Sequence, residues 1–247
     1  MAKWLNGTVV ENRRWTEDLT SLIIDADLGA FNAGQFVRVG LEIDGEIVAR
    51  PYSLVNSPTE PELEILFNIV TDGPLSPRLF ELQRGDDVWV AINPAGFLTV
   101  NEVPDVANLW MMATGTAIGP YLSILKGDEV WQRFERVILT YSARTTEELA
   151  YAKQIAKLVE LHSKQLCFIP IITREDIADT LRVRIPEAIT NGELESRAGV
   201  SMSADNSHVM MCGNSDMIRD VSAVLEGRNM RKHRRREPGH FTSEKYH

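Results

Sequence analysis

The feature that most constrains the fold is a change of rhythm near residue 100. Before it, short alternating runs are separated by turn residues: "LNGTVVENR", "LTSLIIDAD", "GQFVRVGLEI", "EIVARPYSLVN", "ELEILFNIV" and "DDVWVAIN". After it, continuous apolar runs ("ANLWMMATG", "ERVILTYSA", "LCFIPIITR", "SHVMMCG") alternate with helix-patterned stretches such as "EELAYAKQIAKLVELHSK" and "SDMIRDVSAVLEG". Alternation marks a strand with one wet face. A continuous apolar run marks a strand buried on both faces, hence a parallel sheet covered by helices. Six hairpin-punctuated strands predict an antiparallel β-barrel over residues 1–100, with Asp44-Gly45 as a hairpin turn. Residues 101–247 predict an α/β doubly wound parallel sheet. One helix interrupts the first half: Ser76-Pro77 in "DGPLSPRLFELQRGD" places proline at the first helical position.

Composition narrows the class. A hydrophobic fraction of 44% suits a globular chain. No apolar run reaches the length of a membrane span, and "MAKWLNGTVV" is too short and polar for a secretory signal, so the cytoplasm is expected. Cys167 and Cys212 lie far apart, and the histidines show no ligand spacing. A reduced chain without a metal site follows. The net charge is −9, yet "RNMRKHRRR" carries six of the 26 basic residues. That stretch reads either as a solvated helix end or as a docking patch for an acidic partner. Nucleic acid is disfavoured, because the remaining surface repels phosphates.

Two groups of residues point to nucleotide chemistry. In "ARPYSLVNSP", Arg50 and Tyr52 are two apart and share a strand face. A fixed cation beside a flat ring suits a ligand with a phosphate at one end and a ring at the other. In the second half, ligands are expected beyond the carboxyl ends of the strands. The residues there are Thr114-Gly115-Thr116, Ser142-Ala143-Arg144, Thr173-Arg174 and Cys212-Gly213-Asn214. "ATGTAIGP" offers Gly115 and Gly119 for close approach to a phosphate at a helix start. It lacks the lysine of a Walker loop and the GxGxxG spacing, and a tight strand-to-helix turn accounts for it equally well. Arg144, Arg174 and Arg184 fall at or after strand ends. Each alone reads as ordinary surface, but together their forks suit a 2′-phosphate, hence NADP(H) over NAD(H).

Taken in order, "RPYSLVNSP", "GPLSPRL", "ATGTAIGPYLSIL", "SARTTEELAY", "VMMCGN" and "PGHFTSEKYH" resemble the bacterial ferredoxin/flavodoxin–NADP⁺ reductases over nearly the whole chain. The resemblance implies FAD on the barrel and NADP(H) on the α/β half. Arg50 would meet the FAD pyrophosphate, with Pro51 beside it. Tyr52 would lie on one flavin face, and Ser53 would sit near N5. Leu66, Phe67, Asn68 and Ile69 would line the flavin and adenosine. Pro74, Leu75 and Ser76 would meet the pyrophosphate, helped by the helix dipole. Thr116 would stand between flavin and nicotinamide.

For NADP(H) the resemblance implies Ala143, Arg144, Thr173, Arg174, Arg184, Met211, Cys212, Gly213 and Asp216. Cys212 would pack against the nicotinamide without acting as a nucleophile, and Glu244 would relay a proton. Tyr246 would stack opposite Tyr52, and His247 would take the terminal place on the adenine, where relatives carry tryptophan. A disordered terminus is the alternative for this tail. Single electrons would leave to ferredoxin or flavodoxin docked on Arg231, Lys232, Arg234, Arg235 and Arg236, the protein acting as a monomer. Two further readings are an NAD(P)H–flavin reductase and an electron-transfer subunit of a larger oxidoreductase. Two distant cysteines cannot hold the iron–sulfur cluster many such subunits carry. A third is a non-catalytic protein using its basic segment on nucleic acid.

Overall fold

The computed structural model describes residues 3–246, so His247 lies outside the described residues. The chain divides into two compact units. One holds residues up to Thr99 together with Gly119–Gly127; the other holds Val100–Ile118 and the chain from Asp128 onward.

The first unit contains β1 (Trp4–Arg14), β2 (Leu19–Asp25), β3 (Phe36–Ile43), β4 (Glu46–Ser53), β5 (Leu63–Asn68), α1 (Ser76–Glu81) and β6 (Asp87–Ala91). The strands form one antiparallel sheet in the order β4-β3-β6-β1-β2-β5. Its two ends meet at a bridge between Leu54 and Ile65, which closes the barrel. The Asp44-Gly45 turn has φ of 54° and 82°, the two positive values a type I′ hairpin needs. Alternate residues point inward, so Val9, Leu22, Ile24, Val37, Val39, Ile65 and Val90 make the core with Leu79 of α1. The Asn12 amide donates to the carbonyls of Phe80 (2.9 Å) and Leu82 (2.8 Å), satisfying the end of α1.

The second unit contains β7 (Asn108–Thr114), and its chain then lends α2 (Ile118–Leu125) to the first unit. Ser123 Oγ donates to Asn56 O at 2.7 Å, and Lys126 Nζ lies 3.0 Å from Glu60 Oε2. A Cβ on Gly119 would stand 3.2 Å from Val55 Cγ2. Gly119 therefore serves close helix packing, the turn alternative for "ATGTAIGP". Gly115, with φ of 55°, has nothing within 4 Å of its absent Cβ.

The rest of the second unit follows as α3 (Glu129–Arg133), β8 (Arg136–Ala143), α4 (Ala152–Leu161), β9 (Leu166–Ile172), α5 (Ile185–Thr190), α6 (Glu193–Ala198), β10 (Ser207–Gly213), α7 (Ser215–Gly227) and β11 (Phe241–Lys245). All five strands are parallel, in the order β11-β10-β7-β8-β9. Every residue of β10 is buried, as its unbroken apolar run requires. β11 was not legible: of "FTSEK" only Phe241 is buried, so no apolar run announces this edge strand. The basic stretch is not a helix end beyond Arg228. Residues 231–240 double back as a loop, in which Arg234 and Glu237 exchange backbone bonds of 3.0 and 2.8 Å.

Candidate functional site

In the first unit the candidate residues gather where β4 and β5 meet. Arg50 is exposed, and one of its N–H groups reaches its neighbour's carbonyl, Ala49 O, at 3.0 Å. Pro51 is exposed, Tyr52 half-buried and Ser53 buried. The Tyr52 ring sits edge-on to Phe67, centroids 5.6 Å apart at 61°. Burial pushes its hydroxyl pKa up to about 12 against the opposing pull of Arg50, so the ring stays neutral next to a cation. Leu66 and Phe67 are buried, Ile69 half-buried and Asn68 exposed. Past the Leu54–Ile65 bridge, β5 continues as an edge strand, paired to β2 on its other side. Its outward backbone groups need a partner from elsewhere. Ser76 Oγ accepts from Val70 N at 2.8 Å, which folds the 70–76 loop back toward β5 and brings exposed Pro74 and buried Leu75 with it. A cation, a neutral ring and an open strand edge fit a flavin dinucleotide.

In the second unit the strand order reverses between β7 and β10, and a crevice beyond the strand ends is expected at that point. Thr114 and Gly213 build it. Thr114 Oγ1 accepts from Asn214 N at 3.0 Å. Gly213 has φ of 132°, and a Cβ there would lie 2.0 Å from Thr114 Oγ1. Only glycine fits. Next to it, Met211 and Cys212 are completely buried. Burial, and secondarily the Glu244 carboxylate, push the Cys212 thiol well above its ordinary range, and a side-chain hydrogen bond with Tyr246 only partly opposes this. A buried, protonated thiol is a packing group and not a nucleophile. Glu244 pairs in register with Cys212 on β11, and Tyr246 N donates to Gly213 O at 3.1 Å. The tail is thus a strand with an ordered continuation at Tyr246.

The arginines lie further along the same edge. Arg144 and Arg174 follow β8 and β9, and Arg184 precedes α5; all three are exposed. Thr173 N donates to Ala143 O at 3.1 Å and Arg174 N to Arg144 O at 2.9 Å, so the two loops run side by side. Thr116 is half-buried, while Asp216 is exposed and ion-paired to Arg219 at 2.6 Å. Sequence reasoning passed over Glu148 and Glu175, although each stands close to a singled-out arginine. Glu148 contacts Arg144, and Glu175 accepts from Thr146 N and Oγ1 at 2.7 and 2.9 Å. Exposed arginines at the ends of β8 and β9 and before α5 fit a phosphorylated nucleotide.

Comparison with known proteins agrees with both halves. The oxidoreductase FAD-binding domain model matches residues 17–96, and the oxidoreductase NAD-binding domain model matches residues 111–223. The chain is 48% identical to a flavodoxin/ferredoxin–NADP reductase of Shigella flexneri and 47% identical to one of Escherichia coli (strain K12). Each match covers 100% of both chains. A solved ferredoxin NADP⁺ reductase from Neisseria gonorrhoeae, with bound FAD and NADP, superposes with a TM-score of 0.94 at 32% identity over 99% of each chain. An FAD half and an NADP(H) half, matched from end to end by reductases, make this an oxidoreductase working between NADPH and flavin, and the chain belongs to the flavodoxin/ferredoxin–NADP reductase family.

Proposed function

We propose that this chain takes reducing equivalents from NADPH and delivers them one at a time to ferredoxin or flavodoxin, in the cytoplasm and as a monomer. Bound FAD supplies the exchange between two-electron and one-electron chemistry. The protein supplies position. Arg50 and the Leu75 and Ser76 amides hold the pyrophosphate, Tyr52 covers one flavin face, and Ser53 faces N5. Leu66–Ile69 present the β5 edge to the ring system. Arg144, Arg174 and Arg184 take the 2′-phosphate, with Thr173 and Ala143 in the adjoining loop. Thr116 stands beside the nicotinamide, and Met211, Cys212 and Gly213 form the floor under it. Glu244 would handle a proton, and Tyr246 would cover the second flavin face.

The observation that carries the step to a protein carrier is the loop after α7. Lys232, Arg234 and Arg236 are exposed there on a chain whose net charge is −9. Concentrated cations on an acidic molecule suit an acidic protein rather than free flavin. The test is stopped-flow reduction of purified flavodoxin and ferredoxin by the NADPH-reduced enzyme, with free FMN as competitor. Carrier reduction at least tenfold faster than FMN reduction is expected. Reduction of free FMN alone would favour the flavin-reductase reading.

A further inference from the structure

Arg144 does not wait as a free side chain. Its Nε donates to Glu148 Oε1 at 2.7 Å, and its Nη2 lies 2.5 Å from the same oxygen. Its own backbone N–H donates to Glu148 Oε2 at 2.9 Å. Glu148 is itself tethered, because the hydroxyl of fully buried Tyr141 donates to its carbonyl at 3.1 Å. A second carboxylate ties the neighbouring loop. Glu175 Oε2 accepts from both Thr146 N and Thr146 Oγ1, while Arg174 N donates to Arg144 O. Both loops that carry candidate phosphate ligands are therefore clasped by acids, in a place where acids would seem to oppose an anion.

We infer that Glu148 and Glu175 are positioning residues that set NADPH-over-NADH selectivity before the nucleotide arrives, Glu148 by holding the Arg144 side chain and Glu175 by tying together the loops that carry Arg144 and Arg174. The inference rests on the assignment of Arg144 to the 2′-phosphate. A guanidinium has five N–H donors in a rigid fork. The Glu148 clamp engages Nε and Nη2 and so fixes the plane and direction of the whole fork. Arginine side chains carry large rotamer entropy, and ordering one on binding weakens affinity; a clamp in the free protein removes that cost in advance. The opposing effect is carboxylate–phosphate repulsion. The Arg144 side chain is 52% exposed and that of Glu148 22%, so water and salt reduce that repulsion without removing it. The ordering effect is the larger.

The experiment compares 2′,5′-ADP with ADP binding to the FAD-loaded holoenzyme by calorimetry. Glu148→Ala is expected to weaken 2′,5′-ADP about three- to tenfold and to leave ADP unchanged. Because Glu148 acts through Arg144, the Arg144→Ala/Glu148→Ala double variant should bind 2′,5′-ADP no more weakly than Arg144→Ala alone. If Glu148→Ala binds 2′,5′-ADP as well as wild type or better, the inference is overturned. Arg144→Ala separates the two levels. If it leaves 2′,5′-ADP binding intact, the phosphate assignment itself is wrong. If it weakens binding while Glu148→Ala does not, only the clasp fails. Should Glu148→Ala also lose ADP, Glu175→Ala must show the selective loss, and equal loss of both ligands there overturns the inference.

Discussion

Gly213 shows how a residue can be legible by place and not by reason. "CGN" at a strand end marks a ligand edge in the sequence. The need for glycine arises from Thr114, which is remote in sequence and adjacent only in the folded sheet. Two penalties meet any side chain there: a φ of 132° and a 2.0 Å approach to Thr114 Oγ1. Gly213→Ala should cost about 2–3 kcal/mol and lower the melting temperature. In a Thr114→Ala background the 2.0 Å approach is relieved, while the 3.2 Å contacts with Cβ and N of residue 114 and the φ strain remain, so the added loss should shrink by roughly half. Thermal melts of the four proteins check this, and an identical loss in both backgrounds would leave backbone strain as the whole cost. Arg50 and Tyr52 were readable more fully, because a two-residue spacing on a strand fixes a shared face without help from the rest of the fold.

At the scale of elements, the pieces with a long apolar or periodic run were legible, and the short helices and the polar edge strand β11 were not. β7, β8 and β10 declare themselves by unbroken apolar runs, since each is buried on both faces, and β9 keeps such a run although Cys167, Phe168 and Pro170 are half-buried. α5 and α6 have six residues each, too few to display a helical period. β11 is invisible for another reason: what holds it is partly polar. His208, fully buried in β10, has Nε2 3.3 Å from Thr242 Oγ1 on β11 and stands edge-on to His233 of the basic loop, centroids 5.8 Å apart. Burial, then the His233 ring, and further His240 and Arg133, hold its pKa down to about 3, against the Gly239 carbonyl, which raises it. The folded value lies below the ordinary one, so between them the unfolded chain binds more protons. The associated stability is complete above the ordinary histidine range near 6.5 and is lost as pH falls toward 3. About 2 kcal/mol should disappear between pH 7 and pH 5. Urea unfolding at both values should show that loss in wild type and a smaller one in His208→Gln. An equal loss in the variant would assign the acid sensitivity to other groups.

At the scale of the whole molecule the relevant property is charge asymmetry, which the sequence shows and the structure sharpens. Of the basic residues after Gly227, Arg228 is spent on Glu195 at 2.8 Å and on Ile189 O at 2.8 Å. Arg235 is paired with Glu102 at 2.8 Å, and Arg231 Nε donates to Pro238 O at 3.2 Å. Lys232, Arg234 and Arg236 are exposed in a loop pinned at its base by His233 N to Phe241 O and His240 N to Arg231 O, both 2.7 Å. A fixed base with outward cations favours steering, because field strength at a docking face depends on where charges are held. Replacing these three residues with glutamine should slow reduction of an acidic carrier about tenfold at low salt. It should also flatten the dependence on ionic strength, since wild-type steering is screened over about 8–10 Å in ordinary buffers. NADPH oxidation with a small neutral dye should stay unchanged, because the dye needs no docking face. Arg235→Gln alone should have a weaker effect on the carrier rate, its charge being offset by Glu102. Stopped-flow carrier reduction across a salt series, run beside the dye assay, measures all of this. A triple variant that keeps the wild-type rate and salt slope would show that the carrier docks elsewhere.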